Sequence, residues 1–160
     1  MTMFRECCQL AIKGVVYMFG ILIIENDSAI ANSMRDWLLE EGYKVDISPS
    51  GTKALRQLQD YDYDVAVMSS TLPDMDGSEL CRKLSNSNLE LPIIMVSPRP
   101  GVEDTIKGLD AGAQDFMTAP FEMPEFSARV RSLLRRYAKG GVPRQTIRMQ
   151  NRSVNQQTGV

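Results

Sequence analysis

The sequence predicts an α/β fold in which five β-strands alternate with five α-helices, written (βα)5, around a parallel sheet. Two observations support this prediction. Apolar runs such as "GILIIE" and "LPIIMVS" are continuous, which is typical of strands covered on both faces. Each run is followed by apolar residues at helical spacing, and strands that alternate with helices require right-handed crossovers between parallel strands. We therefore expect a doubly wound sheet with helices on both sides.

The first two units show clear start and stop signals. The run "GILIIE" is a strand, and "NDSAIANSMRDWLLEEG" is a helix that either Asp27 or Ser28 can cap and that ends at Gly42. Residues 43–48 alternate in polarity like a strand. Residues 51–61 have apolar side chains at helical spacing and form the second helix.

The middle of the chain repeats the same alternation. Residues 63–69 and 91–97 are short apolar strands, and the helix between them spans residues 78–84. The stretch "LPDMDG" that precedes this helix has the proline, aspartate and glycine that are typical of a turn.

The last two helices flank the fifth strand. The helix at 102–112 is built around Ile106 and Leu109, and the strand lies in "QDFMTAPF". A basic amphipathic helix at 124–138 completes the fold.

Charge is distributed unevenly along the 160 residues, although the formal net charge is only −2. The part of the chain up to Glu125 contains all 20 acidic residues and ten basic ones, so its charge is −10. Eight basic residues and no acidic ones follow, so the charge of the tail is +8. Such a segment suits an acidic partner or nucleic acid, or is a solvated helix face with a linker.

Cysteine and histidine usage excludes several classes of chemistry. The three cysteines, Cys7, Cys8 and Cys81, make no disulfide framework, so we expect a cytoplasmic protein. Because the chain has no histidine, Ser-His-Asp and Cys-His catalysis are excluded. The mildly apolar run at 1–20 is interrupted by Lys13 and Gly14 and is too short to span a membrane, so we expect no membrane partner. Because Met18 immediately precedes the first strong strand, either residues 1–17 are an N-terminal extension or the natural start is Met18.

Polar residues stand where the predicted strands end. In this class of fold the carboxyl ends of the strands meet at one edge of the sheet, beside the topological switch point. The residues there are Glu25 with Asn26, then Ser69, Ser97 and Ala119. The set has one carboxylate, no lysine and no glycine-rich phosphate loop. Ser69 has no evident base, so we do not expect an enzyme.

Four segments resemble the receiver domain of two-component response regulators. They are "ILIIENDSAI", "YDVAVMSSTLPDMDGSELCRKL", "LPIIMVSP" and "GLDAGAQDFMTAPFEMPEFSARVRSLLRR". The last segment is most similar to the OmpR/PhoB subfamily of transcription factors. The resemblance implies a flavodoxin-like, CheY-like (βα)5 fold. It also implies a usual activity, which is to accept a phosphoryl group on an aspartate and then to dimerise.

The sequence departs from the family pattern at the residues that perform this chemistry. By the resemblance, Glu25 keeps the first acid of a pair, but Asn26 replaces the second, which is a direct Mg²⁺ ligand. Ser69 stands at the position of the phosphoacceptor aspartate, and Ser97 keeps the hydroxyl after the fourth strand. Ala119 replaces the lysine that precedes a proline.

These departures indicate an atypical member, a pseudo-receiver that lacks the phosphoacceptor aspartate. The aromatic switch residue is kept as Phe116, without a hydroxyl. Mg²⁺ prefers several negatively charged oxygen ligands, and here only Glu25 is left. We therefore expect no catalytic residue, no metal and no cofactor at this degenerate phosphoacceptor pocket.

The resemblance also implies a homodimer through the fourth helix, the fifth strand and the fifth helix. Asp115 and Arg129 match one cross-subunit ion pair of the subfamily, and Glu125 is kept as an acid. Thr105 stands where a basic partner is usual, and Gln114 replaces a second acid. The full set of interface residues that we predict is Asp115, Glu125, Arg129, Arg131 and Arg136.

We divide the chain into an extension at 1–17, a receiver-like domain at 18–138 and a linker or tail at 139–160. The run "GGVPRQ" has linker composition. The run "TIRMQNRSVNQQTGV" resembles the opening strands of a winged-helix DNA-binding domain. We therefore expect contact with DNA only through a missing or truncated effector domain.

Three functions remain open from the sequence. The favoured one is a phosphorylation-independent signal-transduction and transcription-regulatory module that acts by protein–protein contacts and dimerisation, with other regulatory proteins as further partners. The alternative is a small-ligand-binding module that uses the vacated pocket beside Asn26, Ser69 and Ser97. The third is an enzyme with Ser69 as its nucleophile. An exposed apolar pocket would favour the second, and an activated Ser69 beside a perturbed group would favour the third.

Overall fold

The computed structural model describes residues 9–12 and 15–137, which form seven strands and five helices. The strands are β1 (Gln9–Ile12), β2 (Val15–Met18), β3 (Gly20–Ile24), β4 (Lys44–Ser48), β5 (Val65–Ser69), β6 (Ile93–Ser97) and β7 (Asp115–Thr118). The helices are α1 (Ser28–Glu40), α2 (Gly51–Asp60), α3 (Gly77–Ser85), α4 (Val102–Asp110) and α5 (Met123–Tyr137). The predicted tail at 139–160 lies outside the described residues.

The strands form two separate sheets. Within the predicted extension, β1 pairs with β2 in an antiparallel hairpin. The other five strands form one parallel sheet in the order β4-β3-β5-β6-β7. This order reverses at β3, which is the strand arrangement of a flavodoxin-like, CheY-like fold. The predicted fold class is confirmed.

The core lies on both faces of the parallel sheet, and this explains the continuous apolar runs. All five residues of β3, β5 and β6 are buried. Ile21 and Ile23 pack with residues of α1 and α5 on one face, whereas Leu22 and Ile24 pack with residues of α2 and α3 on the other. A strand buried on both faces has no solvent side, so polarity does not alternate along it.

Side-chain caps fix where the first two helices begin. Asp27, not Ser28, caps α1, because its Oδ1 accepts hydrogen bonds from the amides of Ala29 (3.0 Å) and Ile30 (3.2 Å). The chain leaves α1 through Gly42, whose φ of 95° lies in the left-handed region that favours glycine. Ser50 caps α2 in the same way as Asp27 caps α1.

None of the described helices is long and apolar enough to cross a membrane.

The start of α3 lies directly against the end of β5, and a glycine makes this possible. A Cβ added to Gly77 would overlap the carbonyl oxygen of Ser69 and would lie 2.8 Å from the Cα of Ser70. Both neighbours are backbone atoms, so they cannot rotate away. The amide of Gly77 also donates to the carbonyl of Ser70 at 3.0 Å. Gly77 therefore fixes α3 to the strand end.

We predict that Gly77→Ala lowers the free energy of unfolding by about 2 kcal/mol, as is usual when a packed site must shift its backbone. Urea denaturation of the wild-type and variant chains measures this loss. Gly101→Ala is the matched control, because a Cβ at Gly101 meets no atom within 4 Å. Equal losses in the two variants would contradict the proposed overlap at Gly77.

Candidate functional site

The carboxyl edge of the parallel sheet brings the predicted pocket residues together. Glu25 follows β3, Ser69 and Ser97 are the last residues of β5 and β6, and Ala119 follows β7. The strands end in register, because Ser97 pairs with Thr118 and its carbonyl accepts the amide of Ala119 at 2.8 Å. The sequence prediction that these residues share one edge agrees with the strand positions.

The two serine hydroxyls have the same hydrogen-bonded arrangement. Ser69 Oγ donates to the carbonyl of Thr71 (3.0 Å) and accepts from its amide (3.2 Å). Ser97 Oγ makes the equivalent bonds to Arg99, again at 3.0 and 3.2 Å. Both side chains are buried. Each hydroxyl therefore closes a tight turn after its strand. A nucleophilic serine instead needs a base that accepts its proton. The Ser69 hydroxyl donates its hydrogen bond to a backbone carbonyl, which is not such a base.

The carboxylates nearest the edge also bind backbone amides. Glu25 Oε1 accepts the amide of Asp27 at 3.0 Å, and Asp27 Oδ1 caps α1. These contacts hold the loop after β3 and the start of α1 in place. Both carboxylates are therefore used in local structure.

Asp74 binds the start of α2. Its two carboxylate oxygens accept the amides of Gly51 (2.9 Å) and Thr52 (2.8 Å), together with the hydroxyl of Thr52. The hydrogen bond from the Thr52 hydroxyl, followed by those from the amides, lowers the pKa of Asp74 from 3.8 to about 2. Asp74 is thus a second cap of α2, provided from another loop.

Receiver-type chemistry would call for Mg²⁺ at this edge, and the residues present do not fit it. A magnesium site needs several oxygen ligands of high negative charge around one point. Within 15–137, no cluster of three or more acidic, cysteine or histidine side chains is placed to hold a metal ion. Glu25 is bound to an amide, and Asn26 and Ser69 are uncharged.

The fifth strand positions Phe116 and Ala119. The peptide bond between Ala119 and Pro120 is cis, and Ala119 presents a methyl group where the family pattern has a lysine. Phe116 is partly buried, and its ring lies so close to α4 that a Cβ on Gly108 would be 2.9 Å from the ring. Phe116 is therefore in contact with α4.

Four of the five predicted interface residues lie on one face. Arg129 of α5 forms ion pairs within the chain to Asp115 of β7 (3.0 Å) and to Glu125 (3.1 Å). The hydrogen bond to Asp115 is the main reason why the pKa of Arg129 is raised. Arg136, about two helical turns after Arg129 on α5, lines the same shallow groove as these three residues.

Arg131 lies elsewhere. Its guanidinium donates to Ser127 Oγ at 2.8 Å and lies 3.6 Å from a carboxylate oxygen of Glu41, at the end of α1. Ser127 also donates to Glu41, and the other oxygen of Glu41 accepts the indole N–H of Trp37 at 3.0 Å. This network joins α5 to α1, so the structure does not bring Arg131 together with the other four residues.

Residues 21–131 match the response regulator receiver domain family. The chain belongs to this family.

Curated relatives of this receiver domain include proteins named "Response regulator MprA". Those of Mycobacterium sp. (strain KMS) and Mycobacterium ulcerans are 38% identical over 116 residues, which is 72% of this chain and 50% of each relative. The chain thus spans about half the length of the curated relatives it matches.

Solved receiver domains have the same fold. The receiver domain of the Francisella response regulator 1452 is 31% identical, with a TM-score of 0.70, over 73% of this chain and 97% of that one. A CheY-like receiver domain protein from Methanospirillum hungatei is 28% identical, with a TM-score of 0.71, over 76% and 97% of the two chains.

Sequence reasoning missed the exposure of α4 in this receiver domain. Helical spacing indicated that Ile106 and Leu109 form the centre of the helix, yet they are 52% and 45% exposed, and Val102 is 75% exposed. The buried residue of α4 is Gly108, which lies against Phe116 and Met95. A glycine on the inner side of a helix is a signal in the sequence that the opposite, apolar side faces outward.

We predict that Asp74 makes a pH-dependent contribution to stability. Its pKa in the folded state is below the ordinary value, so the contribution is present above the ordinary pKa and is lost as pH falls toward about 2. Asp74→Asn should therefore be less stable than wild type near neutral pH, and the difference should shrink between roughly pH 5 and pH 3. Urea titrations across this range measure it.

Ser50→Ala is the matched control, because Ser50 caps the same helix with an uncharged hydroxyl. Its loss of stability should not depend on pH. A stability difference for Asp74→Asn that is constant over the same range would show that the charge of Asp74 does not contribute.

Proposed function

We propose that this receiver domain is a pseudo-receiver, a phosphorylation-independent module of signal transduction and transcription regulation that acts through protein contacts and dimerisation. The observation that supports it most directly is the state of Ser69. Its hydroxyl stands at the phosphoacceptor position and is hydrogen bonded to the backbone of Thr71. The similarity of the last helical segment to OmpR/PhoB regulators supports the assignment to transcription.

The chemistry of phosphoryl transfer supports the same proposal. An aspartate forms an acyl phosphate, which is reactive enough to exchange with a phosphohistidine, whereas a serine would form an inert phosphate ester. The lysine that would pair with the phosphoryl group is replaced by Ala119, and the second acid of the pair is replaced by Asn26. Neither replacement can balance the charge of a phosphoryl group.

We predict that the protein gains no acyl phosphate when it is incubated with a small phosphodonor and Mg²⁺. Intact-mass spectrometry measures the modification, because one phosphoryl group adds a defined mass. The physical reason is that Ser69 has no carboxyl group to form an acyl phosphate and that its hydroxyl has no base to activate it.

The matched control is the triple variant Asn26→Asp, Ser69→Asp, Ala119→Lys, which restores the family pattern and should gain one phosphoryl group under the same conditions. A stoichiometric phosphoryl group on the wild-type chain that hydroxylamine removes would refute the proposal.

The surface formed by α4, β7 and α5 supports a dimer. Val102, Ile106 and Leu109 form an exposed apolar stripe at helical spacing along α4. Exposed apolar patches with a polar rim mark interaction sites. Asp115, Glu125 and Arg129 lie on β7 and α5 and form ion pairs with one another, and an exposed ion pair contributes only about 0–1 kcal/mol. We therefore assign most of the association energy to the apolar stripe.

We predict that the wild-type protein dimerises at tens of micromolar without a phosphodonor and that Ile106→Asp weakens the dimer at least about tenfold, which corresponds to 1.4 kcal/mol. Sedimentation velocity over a concentration series measures this. The reason is that a charge in the apolar stripe must be desolvated on association.

Leu39→Asp is the matched control. Leu39 is an apolar residue of α1 that lies outside the proposed face, and its exposure of 47% is similar to the 52% of Ile106. A strict monomer at this concentration would contradict the proposal, as would a dimer that both variants weaken equally.

A second candidate function is the binding of a small ligand, and a specific cleft favours it. A cleft of about 230 Å³ borders Ser97, although Ser69 does not line it. The sequence indicated that the ligand would bind in the vacated pocket beside Asn26, Ser69 and Ser97. The cleft instead lies on the α4 side of Ser97. Cytoplasmic location, contacts with other regulatory proteins, and DNA binding only through a missing or truncated effector domain stay predictions.

A further inference from the structure

The cleft of about 230 Å³ lies between the start of α3, the loops after β5 and β6, and α4. At about 30 Å³ for each water molecule, it has room for roughly eight. This is the size of a free amino acid, and it is smaller than the sites that bind drug-sized ligands. The apolar part of its lining comes from Met95 and Pro98, so most of the groups that a ligand would meet are polar.

Ser78 is the first sign that the cleft is a binding site. Its side chain lines the cleft and is only 6% exposed, yet its hydroxyl makes no hydrogen bond within the described part of the chain. The Oγ atom itself is not fully enclosed by protein, so it is open to the space of the cleft. The unused donor and acceptor of Ser78 are therefore available to a ligand.

The start of α3 adds backbone donors beside Ser78. Asp76 occupies the N-cap position, but its side chain makes no capping hydrogen bond to the first turn. Instead its carboxylate forms an ion pair with Lys107 of α4 at 3.1 Å. The first turn of α3 thus keeps amide N–H groups without a side-chain acceptor, and such groups favour an anionic partner.

Two charged groups of the cleft have no ion-pair partner among residues 18–137. Arg99 follows β6 and Asp104 lies in the first turn of α4, and both line the cleft. Since Lys107 and Asp76 neutralise each other, one positive and one negative charge remain. A ligand that matches them has one charge of each sign.

We propose that this cleft binds a small zwitterion of the size of a free α-amino acid. Its carboxylate would bind Arg99, the Ser78 hydroxyl and the first-turn amides of α3. Its ammonium group would bind Asp104. A phosphate-like dianion fits less well, because two carboxylates, those of Asp76 and Asp104, line the same space.

Binding of the zwitterion does not depend on the pseudo-receiver function proposed above. The effect of binding on the dimer face rests on that function. The cleft joins α3 to α4, and α4 also presents the apolar stripe of the proposed dimer face. A ligand that contacts both helices favours the arrangement of α4 that it binds best. It would thereby supply the input that a phosphoryl group supplies in a typical receiver.

The test begins with thermal melts of the full chain with each common L-amino acid at about 10 mM. An amino acid that reaches a tenfold excess over Kd should raise Tm by roughly 3 °C or more. Isothermal titration calorimetry then gives Kd for the best binder, for its amide, which lacks the carboxylate, and for its N-acetyl form, which lacks the ammonium group. Both derivatives should bind at least about tenfold more weakly.

Three variants locate the site, and a fourth is the control. Ser78→Ala, Arg99→Ala and Asp104→Asn should each raise Kd at least about tenfold. Their melting temperatures without ligand should stay near the wild-type value, since none of these side chains has an ion-pair partner or hydrogen bond to lose within the described residues. Arg35→Ala should not change Kd, because Arg35 is on α1 and pairs with its neighbour Asp36.

Four outcomes would overturn the proposal: no amino acid raises Tm, the derivatives bind as tightly as the parent, the control variant loses as much affinity as the cleft variants, or inorganic phosphate raises Tm as much as the best amino acid. None of these results tests the pseudo-receiver assignment, because phosphorylation and dimerisation are measured without any ligand.

Discussion

The parallel pairing of the sheet places the carboxyl ends of β5 and β6 side by side, and the groups of the cleft and of the serine turns depend on this pairing. Both strands are fully buried, and Ser69 and Ser97 end them with identical hydroxyl-to-backbone turns. Gly77 then brings α3 against the carbonyl of Ser69, which places the start of that helix beside the same edge. Because each serine hydroxyl is used to form a turn and carries no charge, these two strand ends lack the charged oxygens that Mg²⁺ prefers.

The acidic residues around this edge stabilise the local structure of the receiver fold. Glu25 and Asp27 hold the loop after β3, and Asp74 holds the start of α2. Clustered carboxylates repel one another and raise the free energy of the folded state unless a cation binds. Here Glu25, Asp27 and Asp74 accept hydrogen bonds from separate backbone amides. For Asp74, the hydrogen bond from the Thr52 hydroxyl, followed by those from the amides, lowers the pKa to about 2. Asp27 and Asp74 thus serve as helix caps beside this edge.

The sequence was sufficient to predict the order and type of the five strands and five helices of the receiver domain, because double-sided burial and helical spacing leave strong patterns. It could not decide between Asp27 and Ser28 as the cap of α1, since both residue types cap well and only the backbone geometry selects one. It also assigned Arg131 to the same face as Arg129. Residues two apart on a helix point in different directions, so Arg131 reaches Glu41 of α1 instead. The cleft beside Ser78 left no sequence signal, because its lining comes from four separate segments.

Helix α4 contributes both to the cleft and to the exposed apolar stripe. Its inner side has Gly108 against Phe116 and Met95, and Lys107 reaches Asp76 of α3. Its outer side presents Val102, Ile106 and Leu109. A helix whose buried residue is a glycine buries little apolar surface, so it is held less firmly than α1 or α5, whose inner faces are large and apolar. A small rearrangement of α4 therefore costs less free energy than one of any core helix. In the pseudo-receiver that we propose, this weakly anchored helix is the place where contacts in the cleft would change the proposed dimer surface.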